Sequence, residues 1–204
     1  MIESASSACT EPAETLADLV RRLARQSPGA VALAYDGRET TYCELDNLSN
    51  RVAQALIAAG IRSGSRVAIL DKNTDVFFQI VSGASKVDAV LVPINARLAP
   101  PEIVFAINDA EAEVLFVGEG FIAIVSSLRE QLRTVRHIVV LGSEYERWRD
   151  GHPADDLECT VSLDSICLQL YTSGTTGFPK GSTHAPKFYL VTTTRTRQVA
   201  MVDT

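Results

Sequence analysis

Cysteine is scarce and unpatterned. Cys9, Cys43, Cys159 and Cys167 contain no C-x-x-C pair, and His137, His152 and His184 are scattered. That spacing fits no zinc pattern, and no metal ligand is assigned. Basic charge is in deficit: 19 Lys and Arg stand against 25 Asp and Glu, a net charge of −6. Nucleic acid is therefore disfavoured as the main partner, because a phosphate-binding surface needs a basic excess. The N-terminal stretch MIESASSACTEPAE has neither the basic start nor the apolar run of a signal peptide. No apolar run reaches the roughly 18 residues of a membrane span, so no integral membrane span is expected. Reduced thiols in a cytoplasmic protein is the resulting expectation. Glycine and proline, 12 and 8 of 204 residues, are too few for collagen-like or low-complexity chains, and a 46% hydrophobic content excludes disorder.

What remains is ordinary globular patterning. Leu16, Leu19, Val20 and Leu23 recur at helical spacing behind Thr15, with Asp18 placed to complete a cap. Leu45, Leu48, Val52, Leu56 and Ala59 mark a second helix, stopped at Gly60. Val76, Phe77, Ile80, Val81 and Ala84 mark a third. Ile103, Ala106, Ile107 and Ala110 mark a fourth, with Pro100 and Pro101 at its start. Between them lie short apolar runs at 66–70, 89–94, 113–117, 137–141 and 165–171, the length of buried strands. Strand and helix alternate, and the strands are continuously apolar. These features predict an α/β fold, a mostly parallel sheet with helices on both faces. The acidic, polar stretch 143–164 reads as a helix fragment and a surface loop.

One motif carries chemistry. After the last strand comes Tyr171-Thr172-Ser173-Gly174-Thr175-Thr176-Gly177-Phe178-Pro179-Lys180-Gly181. Glycines let backbone N–H groups approach an anion, hydroxyls add donors, and Lys180 brings a full positive charge. From Tyr171 to the end, four bases face one acid, so the acidic body has a locally basic end. Loops at the carboxyl ends of strands are where open α/β sheets bind ligands. The reading is a phosphate cradle. It is not a Walker A loop, because Phe178 and Pro179 separate Gly177 from Lys180 and Gly181 follows.

The motif YTSGTTGFPKG resembles the signature loop of the adenylate-forming acyl-CoA synthetase superfamily. Thr41–Leu45, Ser63–Ala68 and Lys86–Leu98 resemble further stretches of that family, with Asp88 where a glycine is usual. The likeness runs from about Thr15 to Gly181 and looks nearest to fatty-acid and aryl-acid CoA ligases. It implies activation of a small-molecule carboxylic acid, a fatty acid foremost, by ATP with Mg²⁺, then transfer of the acyl group to coenzyme A. It also implies that Thr172, Ser173, Gly174, Thr175, Thr176, Gly177 and Lys180 hold the β- and γ-phosphates, with Lys180 catalytic. Pro93 and Arg97 match the family pattern and are read as structural, able to pack the core.

The likeness then thins. The family's pocket histidine corresponds to Pro186 without a gap, or to His184 with a two-residue deletion. Residues 1–183 read as the N-terminal portion of an adenylation domain, and 184–204 as a divergent tail whose threonines oppose a helix. The family's adenine, ribose and C-terminal lysine elements have no counterpart here. The expectation is a truncated chain, inactive alone; the alternative is a non-catalytic nucleotide- or phosphate-binding module, or an interaction remnant able to pair with a full-length relative.

Overall fold

In the computed structural model, residues 14–72, 74–172 and 180–184 are described. Helix α1, Leu16–Gln26, starts where Thr15 caps it, the Thr15 hydroxyl accepting from the Asp18 amide at 3.1 Å. A hairpin follows, β1 (Val31–Tyr35) paired antiparallel with β2 (Arg38–Thr41). Asp36 and Gly37 turn it at φ of 49° and 74°. Left-handed Asp-Gly is the pair that a tight two-residue hairpin requires. Apolar periodicity does not reveal this hairpin; the Asp-Gly dipeptide does.

Helix α2 spans Tyr42–Ala58. Its start is a reciprocal box: the Glu44 amide donates to the Thr41 hydroxyl at 3.2 Å, and the Thr41 amide donates to the Glu44 carboxylate at 2.8 Å. Gly60, at φ 86°, ends the chain's helical path as its spacing predicted. The remaining elements alternate. They are β3 (Arg66–Leu70), α3 (Asp75–Lys86), β4 (Val90–Pro93), α4 (Pro100–Asp109), β5 (Ala112–Val117), α5 (Ile122–Leu128), β6 (His137–Val140), α6 (Ser143–Asp150), β7 (Leu168–Thr172) and β8 (Lys180–His184).

The main sheet runs β6-β5-β3-β4-β7-β8. Its first five strands are parallel, and β8 is antiparallel to β7. Alternation along β3 divides the core. Val67 and Ile69 pack with α2, α3 and α6, whereas Ala68 and Leu70 pack with α4 and α5. Helices thus cover both faces, as the continuous apolar strands require.

Two features tie α3 into the first layer. At Gly83 a Cβ would fall 2.5 Å from Val52 Cγ1 and 2.9 Å from the Ser49 carbonyl, so α2 and α3 meet backbone to side chain. One turn on, Lys86 is fully buried. Its ammonium donates to Asp46 Oδ1 at 2.5 Å and to the Asn50 side-chain oxygen. Burial lowers the Lys86 pKa, and Asp46 opposes that shift. Just beyond, Asp88 sits at φ 55°, which accounts for the glycine usual there. Its carboxylate accepts from the Ser63 hydroxyl at 2.5 Å, and its carbonyl from the Gly64 amide at 2.7 Å.

The stretch after α6 is the expected surface loop, half-buried to exposed throughout. It is a strap fastened by side chains of α1 and α2. Arg51 donates to the His152 carbonyl at 2.6 Å, Asn50 to that of Ala154 at 3.0 Å and Gln54 to that of Asp155 at 3.1 Å. Arg21 then grips the Asp156 carboxylate at 2.6 and 2.8 Å. Its polar composition fits that surface position; the partners that fasten it are polar groups on helices far away in sequence. Asn50 is shared, serving Lys86 with its oxygen and the strap with its nitrogen.

Two outcomes are expected. Gly83→Ala should destabilise the fold by about 1–3 kcal/mol through overpacking, even though alanine favours helix. A urea midpoint lowered at unchanged slope would show it; an unchanged midpoint would contradict the close approach. The hydrogen bonds from Arg21 pull the Asp156 pKa down to about 2. A carboxylate depressed in the folded state contributes stability above its unfolded value, near 4, and loses it as pH falls through 2. That contribution, reduced for partial exposure, is about 1–2 kcal/mol. Asp156→Asn should flatten the loss of stability between about pH 4 and 2, read by chemical denaturation at each pH.

Candidate phosphate site at the carboxyl edge of the sheet

All five parallel strands end on one edge, and the hydroxyl- and glycine-rich motif leaves the sheet there. Its two stems are β7 and β8. The ladder pairs Leu168 with His184, Gln169 with Thr183, Leu170 with Ser182, Tyr171 with Gly181 and Thr172 with Lys180. Thr172 and Lys180, eight positions apart in sequence, are therefore Cα partners across a hairpin. Ser173, Gly174, Thr175, Thr176 and Gly177, assigned to phosphate from the sequence, lie outside the described residues. So do Phe178 and Pro179.

Within the stems, Tyr171 has two partners that the motif does not announce. Its hydroxyl donates to Asp109 Oδ2 at 2.7 Å and accepts from Gln169 Nε2 at 2.9 Å. Asp109 is the last residue of α4. Burial raises the Tyr171 pKa, and the hydrogen bond to Asp109 raises it further. The tyrosine therefore stays protonated and donating throughout the neutral range. Across the ladder, a Cβ on Gly181 would come 3.3 Å from Tyr171 Cε1 and Cζ and from Gln169 Nε2. Glycine at 181 leaves room for the ring to lie over the neighbouring strand.

The same edge carries a second close approach. A Cβ on Gly118, just after β5, would fall 2.0 Å from Asp71 Oδ1, just after β3. The chain leaves β3 toward the α3 face and β5 toward the α5 face, so the carboxyl of Asp71 lies where the connections diverge. Burial raises its pKa. Sequence spacing gives no sign of this pair, because the two residues are brought together only by the β3–β5 pairing.

The segment after β4 corrects one expectation. Pro93 ends β4 half-buried and Ile94 is buried, but Arg97 is exposed and does not pack the core. Asn95 explains the turn outward: its side-chain oxygen accepts from the Arg97 amide at 2.9 Å, and its carbonyl from the Leu98 amide at 3.1 Å. The backbone of His184 closes β8, and Pro186 lies outside the described residues. Among the described residues no three His, Cys, Asp or Glu side chains converge on a metal position, and no helix is long and apolar enough to cross a membrane.

Comparison with known proteins converges on one family. A family model described as AMP-binding enzyme matches residues 20–202. The fatty acid–[acyl-carrier-protein] ligase ScoC of Streptomyces coeruleorubidus is 37% identical over 169 residues, covering 82% of this chain and 32% of that protein. The long-chain-fatty-acid–CoA ligase FadD13 of Mycobacterium tuberculosis is 36% identical over 171 residues, covering 81% and 34%. Among solved structures, the anthranilate CoA ligase AuaEII in complex with anthranoyl-AMP superposes with a TM-score of 0.81 at 31% identity, covering 86% of this chain and 35% of the other. The chain spans about a third of the length of the curated relatives it matches.

Proposed function

Because this chain belongs to the AMP-binding enzyme family, we propose that it serves an acid–CoA ligase as the part that holds the β- and γ-phosphates of ATP. The observation carrying this is the pairing of Thr172 with Lys180 at the carboxyl edge of the sheet. That register makes Thr172 and Lys180 the two ends of a hairpin stem at this edge. The donor set suits a triphosphate: many N–H and O–H donors, one fixed cation and three glycines that admit close backbone approach.

In the proposed reaction a carboxylate oxygen of the acid attacks the α-phosphorus of ATP. The bond from that phosphorus to the bridging oxygen breaks, and pyrophosphate leaves with the electron pair. The thiol of coenzyme A then attacks the acyl carbon, AMP leaves, and the thiol proton is released. In the first step negative charge grows on the departing pyrophosphate. Lys180 and the hydroxyls of Thr172, Ser173, Thr175 and Thr176 would stabilise that charge where it develops. The hydroxyl residues of the motif would help to hold Mg²⁺, which would supply further neutralisation of the phosphate charge.

A fatty acid is the proposed acid. FadD13 and ScoC, whose names specify fatty acids, support it at 36% and 37% identity. An aryl acid is the second reading, supported by the likeness to an anthranilate CoA ligase. Release of pyrophosphate by a ligase that contains this chain, with palmitate compared with benzoate and anthranilate, separates the two. The proposed setting is the cytoplasm.

The phosphate assignment has a direct test. Titration calorimetry with Mg²⁺ and either ATP or pyrophosphate should show binding by the chain. Lys180→Ala should weaken it about 10- to 150-fold, since a charge-assisted hydrogen bond contributes roughly 1.5–3 kcal/mol. Equal affinities in the two proteins would remove Lys180 from the site.

A further inference from the structure

We propose that Tyr171 is a positioning residue for the phosphate-holding loop, clasping its base to the core through Asp109, Gln169 and Gly181. The proposal rests on the phosphate reading of that loop and adds to it how the loop is aimed.

The need for a clasp follows from the sheet. Along β3 and β4 the pairing is continuous, from Arg66↔Val90 to Ile69↔Pro93. Between β4 and β7 the ladder among the described residues pairs Leu91 with Leu168. Beyond Leu168 no further ladder pair joins β7 to β4 among the described residues, and Leu170 is 37% exposed. A two-stranded hairpin is marginal by itself in water. The far half of this one carries both Thr172 and Lys180.

Tyr171 supplies a link that the ladder does not. Gln169 and Tyr171 are two residues apart and so share one face of β7. That face turns toward the core formed by α4 and α5, against which Tyr171 packs. The hydroxyl is used in both directions, donating to Asp109 and accepting from Gln169. Asp109 is a firm anchor, because Ile103, Ala106 and Ile107 of the same helix are buried. On the other side the ring lies against Gly181, the residue next to Lys180. One side chain thus touches the helix layer, its own strand and the partner strand, one residue inside the Thr172–Lys180 pair. A tilt of the hairpin would have to break these contacts together. Held, they fix where the lysine leaves the strand relative to Thr172, the geometry that a phosphate on the loop would sense.

The full chain serves for the test, with two readouts. Amide hydrogen exchange reports the hairpin over residues 168–184, with β3 and β5 as internal controls of folding. Calorimetry with Mg²⁺ and pyrophosphate reports the site. Tyr171→Phe keeps the ring and removes the hydroxyl. It should speed exchange in the hairpin and weaken pyrophosphate binding, each by about 3- to 10-fold, with β3 and β5 unchanged. Asp109→Ala removes the other end from an exposed position and carries the same test should Tyr171→Phe fail to fold. The two together should cost little more than either alone, because they cut one link. Gly181→Ala, which crowds the ring, should move both readouts in the same direction. If the wild-type chain binds pyrophosphate and both variants bind it equally well, the positioning role is overturned and the phosphate reading stands. If exchange in the hairpin is unchanged in both, the clasp itself is overturned. If the wild-type chain binds neither pyrophosphate nor ATP, the phosphate reading falls and takes the positioning role with it.

Discussion

The contact on which the first helical layer depends is the meeting of α2 and α3 at Gly83. There is no room for a Cβ between Val52 and the Ser49 carbonyl. Bringing two helices that close sets the height of α3 above the sheet. That height in turn places Lys86 inside the layer, within reach of Asp46 and Asn50. A buried ammonium is tolerated only when its hydrogen bonds are met, and both oxygen partners come from α2. The tight packing and the buried charge are therefore one arrangement. Loosening the helix pair would strand the lysine, and losing the lysine's partners would leave a charge in an apolar layer.

That arrangement extends to the strap between α6 and β7. Asn50 meets Lys86 with its oxygen and the Ala154 carbonyl with its nitrogen, and Arg21 holds Asp156 beside it. Through these bonds α1, α2 and α3 determine the path by which the chain reaches β7. The strap crosses from the α6 side of the sheet to the far side of β4, where the Leu91 amide donates to the Cys167 carbonyl at 2.9 Å. The glycine- and hydroxyl-rich motif begins four residues later, at Tyr171. Its placement at the carboxyl edge is thus a consequence of the helix layer as well as of the sheet.

The hairpin form of the motif has a chemical consequence. In loops that run from a strand into a helix, the helix N-terminus offers free amides and a partial positive charge to an anion. Here Lys180 opens a strand. A strand in that position offers no such dipole to an anion. Residue spacing excludes a Walker A loop, and the strand after the loop gives the structural counterpart of that exclusion.

Much of this was legible in the sequence, for identifiable reasons. The apolar periods of α1–α4 and the continuous runs of β3–β7 are local patterns that burial on one or two faces imposes directly. The motif 171–181 is dense enough in glycine, hydroxyl and lysine to carry the proposed phosphate reading, and its likeness pointed to the family that the comparisons show. Two local signals, Asp36-Gly37 and Thr41-x-x-Glu44, were present but do not register in apolar periodicity. Other features depended on tertiary structure. The polar stretch after α6 became a fastened strap because its partners, Arg21, Asn50, Arg51 and Gln54, lie roughly 100 residues or more away in sequence. Arg97 turned outward because Asn95 caps its own turn. Tyr171 met Asp109, and Asp71 met Gly118, across strands and layers. Residue chemistry and local period are written along the chain. Which side chains meet is decided by strand order and helix packing, because those join positions that no local pattern relates.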